Sequence, residues 1–519
     1  MKTLKVLPFD GLLKRFPEHR ITSEKKQFCH TLKNLIALDN KITKVGGAER
    51  YNTTSVGAKT WWAKRIYYEN GGDLQRHQFA VVDRKIYKGQ DAGASLQQVP
   101  INNAYDILLK ENAYPIDTQM KVSGSVTTYL VDGENFFKFT ANQAGEWERL
   151  NTLIDVDGNN IEPVYVTEYL DRLWVLVKNQ NLLLFSKNRE PENFQDSTDA
   201  GVIDLPAGNG GFPKGLIVHR GFLYVIHEDY FAPVTGASSA TFGVAPGSVI
   251  YGFGTRAPRS LVNLKNAFGF LNSTDSEFYL SSGTLDSTSK QPLSYPIQLS
   301  QLMNRLEDHE TVAHLDTEMN AIRISYVKDH DTSRNAEIIY SLNEEKWCGE
   351  TYGRKISCYC QWNGNGDQNE LYTGREDAGI IMKNNTGYNF DGTSIPIKLI
   401  TGSYMVREDE DVQFEDFFAD IKQLGSFSIP ITYYMDTRLT TNAIELLTMQ
   451  GEIINLGLIE IAEQQVLINR GLFKIDASKG RNIRFEIDWD ALDRPFEMYG
   501  IYVHYNEGAR YFSKYVAGR

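Results

Sequence analysis

The densest group of titratable side chains lies in RLEDHETVAH, which brings Glu307, Asp308, His309, Glu310 and His314 close together in sequence. On a helix, His309 and Glu310 would stand near His314, at i+5 and i+4 spacing. Imidazole beside carboxylate is the pairing used for general acid–base work. On a strand only alternate residues share a face, and this stretch runs into a hairpin pattern, so the group disperses. The sequence contains no H-E-x-x-H, no G-x-S-x-G, no P-loop and no G-x-G-x-x-G between a strand and a helix. Nothing assembles a nucleophile, a base and an oxyanion site. The chain reads as a protein with no active site of its own, and no catalytic residue or cofactor is assigned.

Metal chemistry is equally thin. Cys29, Cys348, Cys358 and Cys360 are too few and too unevenly spaced for a disulfide framework. Cys358 and Cys360 share a strand face, but C-x-C lacks the C-x2-C spacing of zinc sites and no histidine lies close in sequence. Buried free thiols are expected, with no metal site. DVDGNN (155–160) and NGNGDQNE (363–370) carry oxygen ligands at alternating positions, as calcium loops do. Neither continues to an EF-hand ligand set, so both read as turns. Ser197-Thr198-Asp199-Ala200-Gly201 matches the front of a sialidase Asp-box, but Asp204 stands where the aromatic residue belongs. The run REDEDVQFEDFFAD (407–420) holds seven carboxylates, among them Glu408, Asp409, Glu410, Asp411, Glu415 and Asp416. Such a run is normally a solvated face, or part of an acidic ring if copies assemble symmetrically.

The elements that would carry these residues are strands. Among 519 residues there are 28 Tyr, 26 Phe and 42 Gly, a balance of aromatic strands and glycine turns. One pattern recurs: an apolar or alternating strand, a tight polar turn, and a second alternating strand. It reads FAVVDRKIYKG at 79–89, TYLVDGENFFKFT at 128–140, VTEYLDRLWVLVK at 166–178 and IVHRGFLYVIH at 217–227. Weaker copies stand at 269–283, 313–327 and 357–374. Turn centres near Asp83, Asp132, Asp171, His219, Asp275, Thr317 and Gly366 are separated by 49, 39, 48, 56, 42 and 49 residues. That matches the roughly 40–50 residues of a four-stranded propeller blade. A hairpin cannot bury its own inner face, so blades must stack radially. Trp147, Phe194 and Trp347 follow hairpins and are expected to pack between neighbouring blades as scaffold.

An all-β fold is therefore expected: a β-propeller of six to seven blades over 61–392, preceded by a segment (1–60) that closes it. A C-terminal β-sandwich-like domain (393–519) follows, with a protruding arm at 440–471. Residues 23–38 read as a short amphipathic helix or a strand joining the ring, 101–114 as a helix between blades. The Gly/Ala/Ser/Pro-rich 228–262 reads as an exposed excursion of one blade. The first twenty residues lack the apolar core of a signal peptide, and no run approaches 18 apolar residues, so a chain without a membrane span, made in a reducing cytoplasm, is expected. Net charge is −12. Phosphate-gripping proteins need a basic surface, which argues against DNA binding but not against a wall that DNA passes.

Several segments, taken in order, resemble the tail nozzle (tail hub) proteins of short-tailed bacteriophages. They are NLIALDNKITKVGGAERYN (34–52), LDRLWVLVKNQNLLLFSKNREPENF (170–194), HRGFLYVIH (219–227), YSLNEEKW (340–347), YNFDGTSIPIKLITGSY (388–404) and RPFEMYGIYVHYNEGARY (494–511). The resemblance implies a structural virion protein of the tail, assembled in the host cytoplasm as a ring of six copies beneath the portal and adaptor proteins. Such a ring continues the DNA ejection channel, retains packaged genome without specific binding, and carries tail fibres or a plug. Under that reading the 407–420 cluster is a candidate for the lumen or a subunit interface. Two other classes stay open: a propeller serving as a protein-binding platform outside any virus, and a propeller carbohydrate-active enzyme. Two or more carboxylates converging at one propeller face would favour the enzyme.

Overall fold

A computed structural model describes the chain apart from residue 1 and the stretches 15–20, 23–26, 71–72, 90–94, 112–113, 123, 141–145, 151–152, 285–287, 289–290, 363–369, 406–411, 424–428, 436–445, 449–466, 470–471, 491 and 508–519. The chain divides into two compact units. One comprises residues 48–338 and 353–386; the other comprises 1–47, 339–352 and 387–519.

The first unit is a β-propeller. Six sheets stand as discrete blades: residues 60–98, 116–150, 163–204, 213–251, 262–281, and 356–384 joined by Ala48–Arg50. Four are four-stranded antiparallel meanders; the fifth has three strands. Between the fifth and last, the strands Val312–Asp316, Ala321–Val327 and Arg334–Ser341 run in the same up-and-down manner. Their first strand packs between Val262–Asn263 and Ile356–Trp362, where a further blade would stand.

Second strands explain the loudest sequence signal. RLWVLV (Arg172–Val177) and AIRISYV (Ala321–Val327) are buried at every position, because neighbouring blades cover both faces. The apolar cores accordingly lie between blades. Trp61, Trp62 and Phe79 of the first blade pack with Phe137, Phe139 and Trp147 of the second. Phe194 fills the next junction, between the second and third blades.

The expected hairpin turns at Asp83, Asp132 and Asp275 join second to third strands, whereas those at Asp171, His219 and Thr317 join first to second. The uneven spacing follows from this change of phase. The short intervals, 39 and 42, fall where the counted turn moves to the earlier hairpin, and 56 falls where it moves back. Gly366 lies outside the described residues, though its flanking strands Ile356–Trp362 and Glu370–Arg375 pair antiparallel.

Ring closure is supplied by the short strand Ala48–Arg50, which pairs with Ile381–Asn384 of the last blade. Asn52 reinforces it, accepting from the Ile381 amide at 2.7 Å and donating to the Gly379 carbonyl at 3.1 Å. Residues 1–47, expected with the propeller, instead group with the C-terminal strands. The reason is backbone pairing: Lys2–Val6 lies antiparallel on Glu497–Glu507, and Cys29–Lys33 on Ile397–Thr401.

The helix expected at 101–114 is absent among its described residues. Asn102 and Asn103 adopt φ of 51° and 60°, which turns the chain and bridges Ile101 to Ala104 and Trp147. The described part of 23–38 is two strands, Cys29–Lys33 and Leu35–Leu38, broken by Asn34 at φ 56°. The excursion at 228–262 is not simply exposed. Its Phe242 packs edge-on against Trp174 and Phe185, with centroids 5.1 and 5.2 Å away.

The second unit is a curled half-barrel of two facing layers. In one, Val412–Gln423 lies between Glu497–Glu507 and Leu472–Gly480; in the other, Asn482–Trp489 pairs with Ile397–Thr401 and Pro430–Met435. Phe417 of the first layer meets Phe485 of the second at 5.1 Å. Of the expected arm at 440–471, only Leu446–Thr448 and Leu467–Asn469 are described, each paired to a sheet strand. The rest of it lies outside the described residues.

Candidate functional site: the sealed mouth of the propeller

The first strands of successive blades lie side by side and enclose a bore. The residues just upstream of those strands meet at one end of it. Trp61 and Tyr114 pack edge to face at 5.3 Å, and the Arg259 guanidinium lies 4.1 Å from the Tyr114 ring. Tyr114 leads into the second blade and Arg259 into the fifth, so this contact spans the ring. Arg259 also donates to the Ser357 carbonyl at 3.0 Å and stands 3.6 Å from Glu310.

Arg334 occupies the centre of this network and is fully buried. It donates to the Glu376 carboxylate through Nε at 3.0 Å and to the Glu310 carbonyl at 2.8 Å, with the Glu310 carboxylate 3.4 Å away. Lys59 reaches Glu376 at 2.6 Å and lies 3.7 Å from the Trp61 ring. Three cations thus face two carboxylates, and two aromatic faces help hold the surplus charge. Burial, then repulsion from Arg334, lowers the pKa of both Lys59 and Arg259.

Two carboxylates do converge here, as an enzyme reading would ask. Arg334 sits on both of them, however, and Arg259, which lies against Tyr114, stands 3.6 Å from Glu310. The arrangement is a plug: it braces the blade starts across the ring.

The sequence-level candidates do not come together. Asp308 binds Arg256 at 2.7 Å and the Ser276 hydroxyl at 3.1 Å, while Glu310 joins the plug. His309 is half exposed, 3.9 Å from Glu307 and 3.8 Å from Glu310. His314 departs to another cluster, stacked on Tyr359 at 5.5 Å. There Arg323 pairs with Asp316 at 2.7 Å and Glu337 at 3.3 Å, and Tyr359 donates to Glu337 at 2.8 Å.

Burial lowers the His314 pKa to about 4, with Asp316 opposing and Arg323 reinforcing the shift. A histidine kept neutral in the fold and protonated near its ordinary value when unfolded stabilises fully above about pH 6.5. That contribution falls away as pH drops toward about 4. Denaturation across this range is expected to give a flatter pH dependence for His314→Gln than for the wild type. Parallel curves would exclude His314 as the source.

The remaining motifs are structural. Asp155 accepts from the Asp157 and Asn159 amides at 3.0 and 2.8 Å, the pattern of a turn. Asp199, from the Asp-box-like segment, pairs with Arg172 at 2.5 Å. All four cysteines are buried and free, and among the described residues no metal-holding group of His, Cys, Asp and Glu occurs. Of the acidic run, Glu408, Asp409, Glu410 and Asp411 lie outside the described residues. Glu415 and Asp416 sit at a bulge of Val412–Gln423, where Asn506 donates to Glu415 at 2.8 Å and His504 pairs with Asp416.

No family model matches the chain, and no curated protein matches it. Solved structures similar to it include BBS1N in complex with ARL6DN, at 11% identity, covering 64% of this chain and 94% of that one, with a TM-score of 0.39. The extracellular domain of the putative hybrid two component system BT4673 from B. thetaiotaomicron is 12% identical, covering 63% and 51%, with a TM-score of 0.30. Kluyveromyces lactis Hsv2 is 9% identical with a TM-score of 0.26; the match covers 48% of this chain and 66% of Hsv2. Among the described residues no helix is long and apolar enough to cross a membrane.

Sequence reasoning missed the plug because its members are scattered from 59 to 376. It also missed a repeated clamp. Asp83 accepts from the Ala58 and Lys59 amides, Asp132 from Lys110 at 2.7 Å, and Asp229 from Asn209 at 2.6 Å. Each turn carboxylate pins the segment that leads into its own blade. Aspartate recurring at the same turn of the first, second and fourth blades was the available signal.

Proposed function

We propose that this chain is a structural, ring-forming propeller of the tail nozzle kind, without catalytic activity. The observation that carries this reading is the sealed mouth. The place where a propeller would gather a substrate holds instead a largely buried ion-pair brace of Arg334, Glu310, Glu376, Lys59 and Arg259. A propeller braced in this way suits a wall element. In a ring of six such copies, DNA would pass between the subunits' inner surfaces and not through any one bore. The net charge of −12 suits a wall that does not hold phosphate. The order of nozzle-like segments along the chain supports the finer reading, with portal and adaptor proteins above and fibres or a plug below. The acidic run at 407–420 is then a candidate lumen or interface element.

Electron microscopy of the parent particle, with the chain labelled, tests the reading. A ring of about six labelled copies at the distal end of a short tail is expected. Absence of the chain from every particle would return the protein to the binding-platform class. Turnover in a glycan screen, lost in Glu310→Gln and Glu376→Gln variants that still fold, would replace it with the enzyme reading.

A further inference from the structure

Two hairpin turns at the opposite end of the inner strands stand side by side, because the Tyr169 hydroxyl donates to the Gly221 carbonyl at 2.9 Å. Each presents a large apolar side chain to solvent: Leu170 is 47% exposed and Phe222 54%. Leu170 and Asp171 adopt φ of 54° and 56°, a turn conformation suited to Asn and Gly and strained for leucine. Strain and apolar exposure at one spot do nothing for the isolated fold. Beside Phe222, the exposed Arg220 donates to Asn266 at 3.1 Å, and the exposed Lys265 adjoins Asn266. Among the described residues, neither cation has a carboxylate partner.

A complementary surface exists on the same chain. A cleft of about 980 Å³ opens between the second and third blades, with Val122, Leu153 and Ile154 in its lining and Glu190 and Glu192 also lining it. Lys138 pairs with Glu192 and Glu148, Lys187 with Glu190 and Asp196, and Arg189, which also lines the cleft, with Asp171, so three cations face five carboxylates. The cleft is apolar in part, acidic at its edge and large enough for a protruding turn.

We propose that Phe222, flanked by Leu170, seats in this cleft of a second copy, with Arg220 and Lys265 facing Glu190 and Glu192. The two surfaces differ, so the contact is head-to-tail and repeats into a closed ring or an open helix. This inference rests on the ring-forming reading above and names its lateral contact.

Sedimentation of the full chain over a concentration series is the test. The wild type is expected to self-associate, and the exposed charge reversals Arg220→Glu/Lys265→Glu and Glu190→Lys/Glu192→Lys each to weaken association by about tenfold or more. Mixing the two variants is expected to restore it, since opposite charges then meet at every contact. A mixture of Phe222→Cys copies with copies carrying Thr140→Cys, an exposed residue of the cleft lining, is expected to cross-link on oxidation, because the four native cysteines are buried. A wild type that stays monomeric throughout, variants that associate normally, or a mixture that regains nothing would overturn the proposal. A labelled ring at a tail tip built through another surface would remove this contact alone. Association through Phe222 with no particle bearing the chain would remove the tail reading alone.

Discussion

Replacing Arg334 by methionine is expected to lower the unfolding free energy of the propeller by about 3–5 kcal/mol. Methionine keeps much of the volume but takes the shared guanidinium from the half-buried Glu376 and Glu310 carboxylates, leaving them Lys59 and Arg259. The cost of desolvating a charge is the same with or without its partner, so removing the fully buried central member exposes most of that penalty. The Glu310 carbonyl also loses its donor. Lys59, which stands at the margin of the network and retains 17% exposure, should matter less when changed to methionine. Denaturant unfolding with a constant m-value would measure both. A loss below about 1 kcal/mol for Arg334→Met would mean that water reaches the cluster and that it is no brace.

Trp147→Ala is expected to cost a similar amount, about 3–5 kcal/mol, for a different reason. Its indole is 1% exposed and stacks on Phe139 at 5.5 Å, with Phe79 and Trp62 edge-on at 5.5 and 6.2 Å. Truncation opens a cavity that the three surrounding rings cannot close. Since Trp62 and Phe79 belong to the first blade and Phe139 to the second, the loss falls on the junction between them. A Trp147→Phe variant should recover part of the stability. If Trp147→Ala unfolded at the wild-type midpoint, the view of the late-blade aromatics as inter-blade scaffold would fail for this residue.

The contrast between these two positions shows how much was legible. Trp147 follows a hairpin at a recurrent place, so its role between blades could be read from its spacing. Arg334, Glu376, Arg259 and Lys59 belong to no local pattern, and each reads alone as an ordinary surface charge, while Glu310 reads with its sequence neighbours and not with these four. The His309–His314 group failed in the opposite direction. Its members are close in sequence, but a short 3-10 turn, Arg305–Glu310, followed by the strand Val312–Asp316 sends them to three different neighbourhoods. Residues 1–47 were misplaced for a related reason, because strand pairing between chain ends leaves no periodic trace.

By itself, the sequence determined that this protein is built of strands, that its hairpins recur at blade spacing, and that those hairpins must stack to bury their inner faces. Those properties follow from turn chemistry and apolar alternation, which act over a few residues. Tertiary structure alone decided that the N-terminal strands join the C-terminal half-barrel, and that distant charges close the mouth of the bore. Ion pairing and desolvation depend on positions in space, and ring closure brings together residues such as Lys59 and Glu376 that the chain keeps far apart.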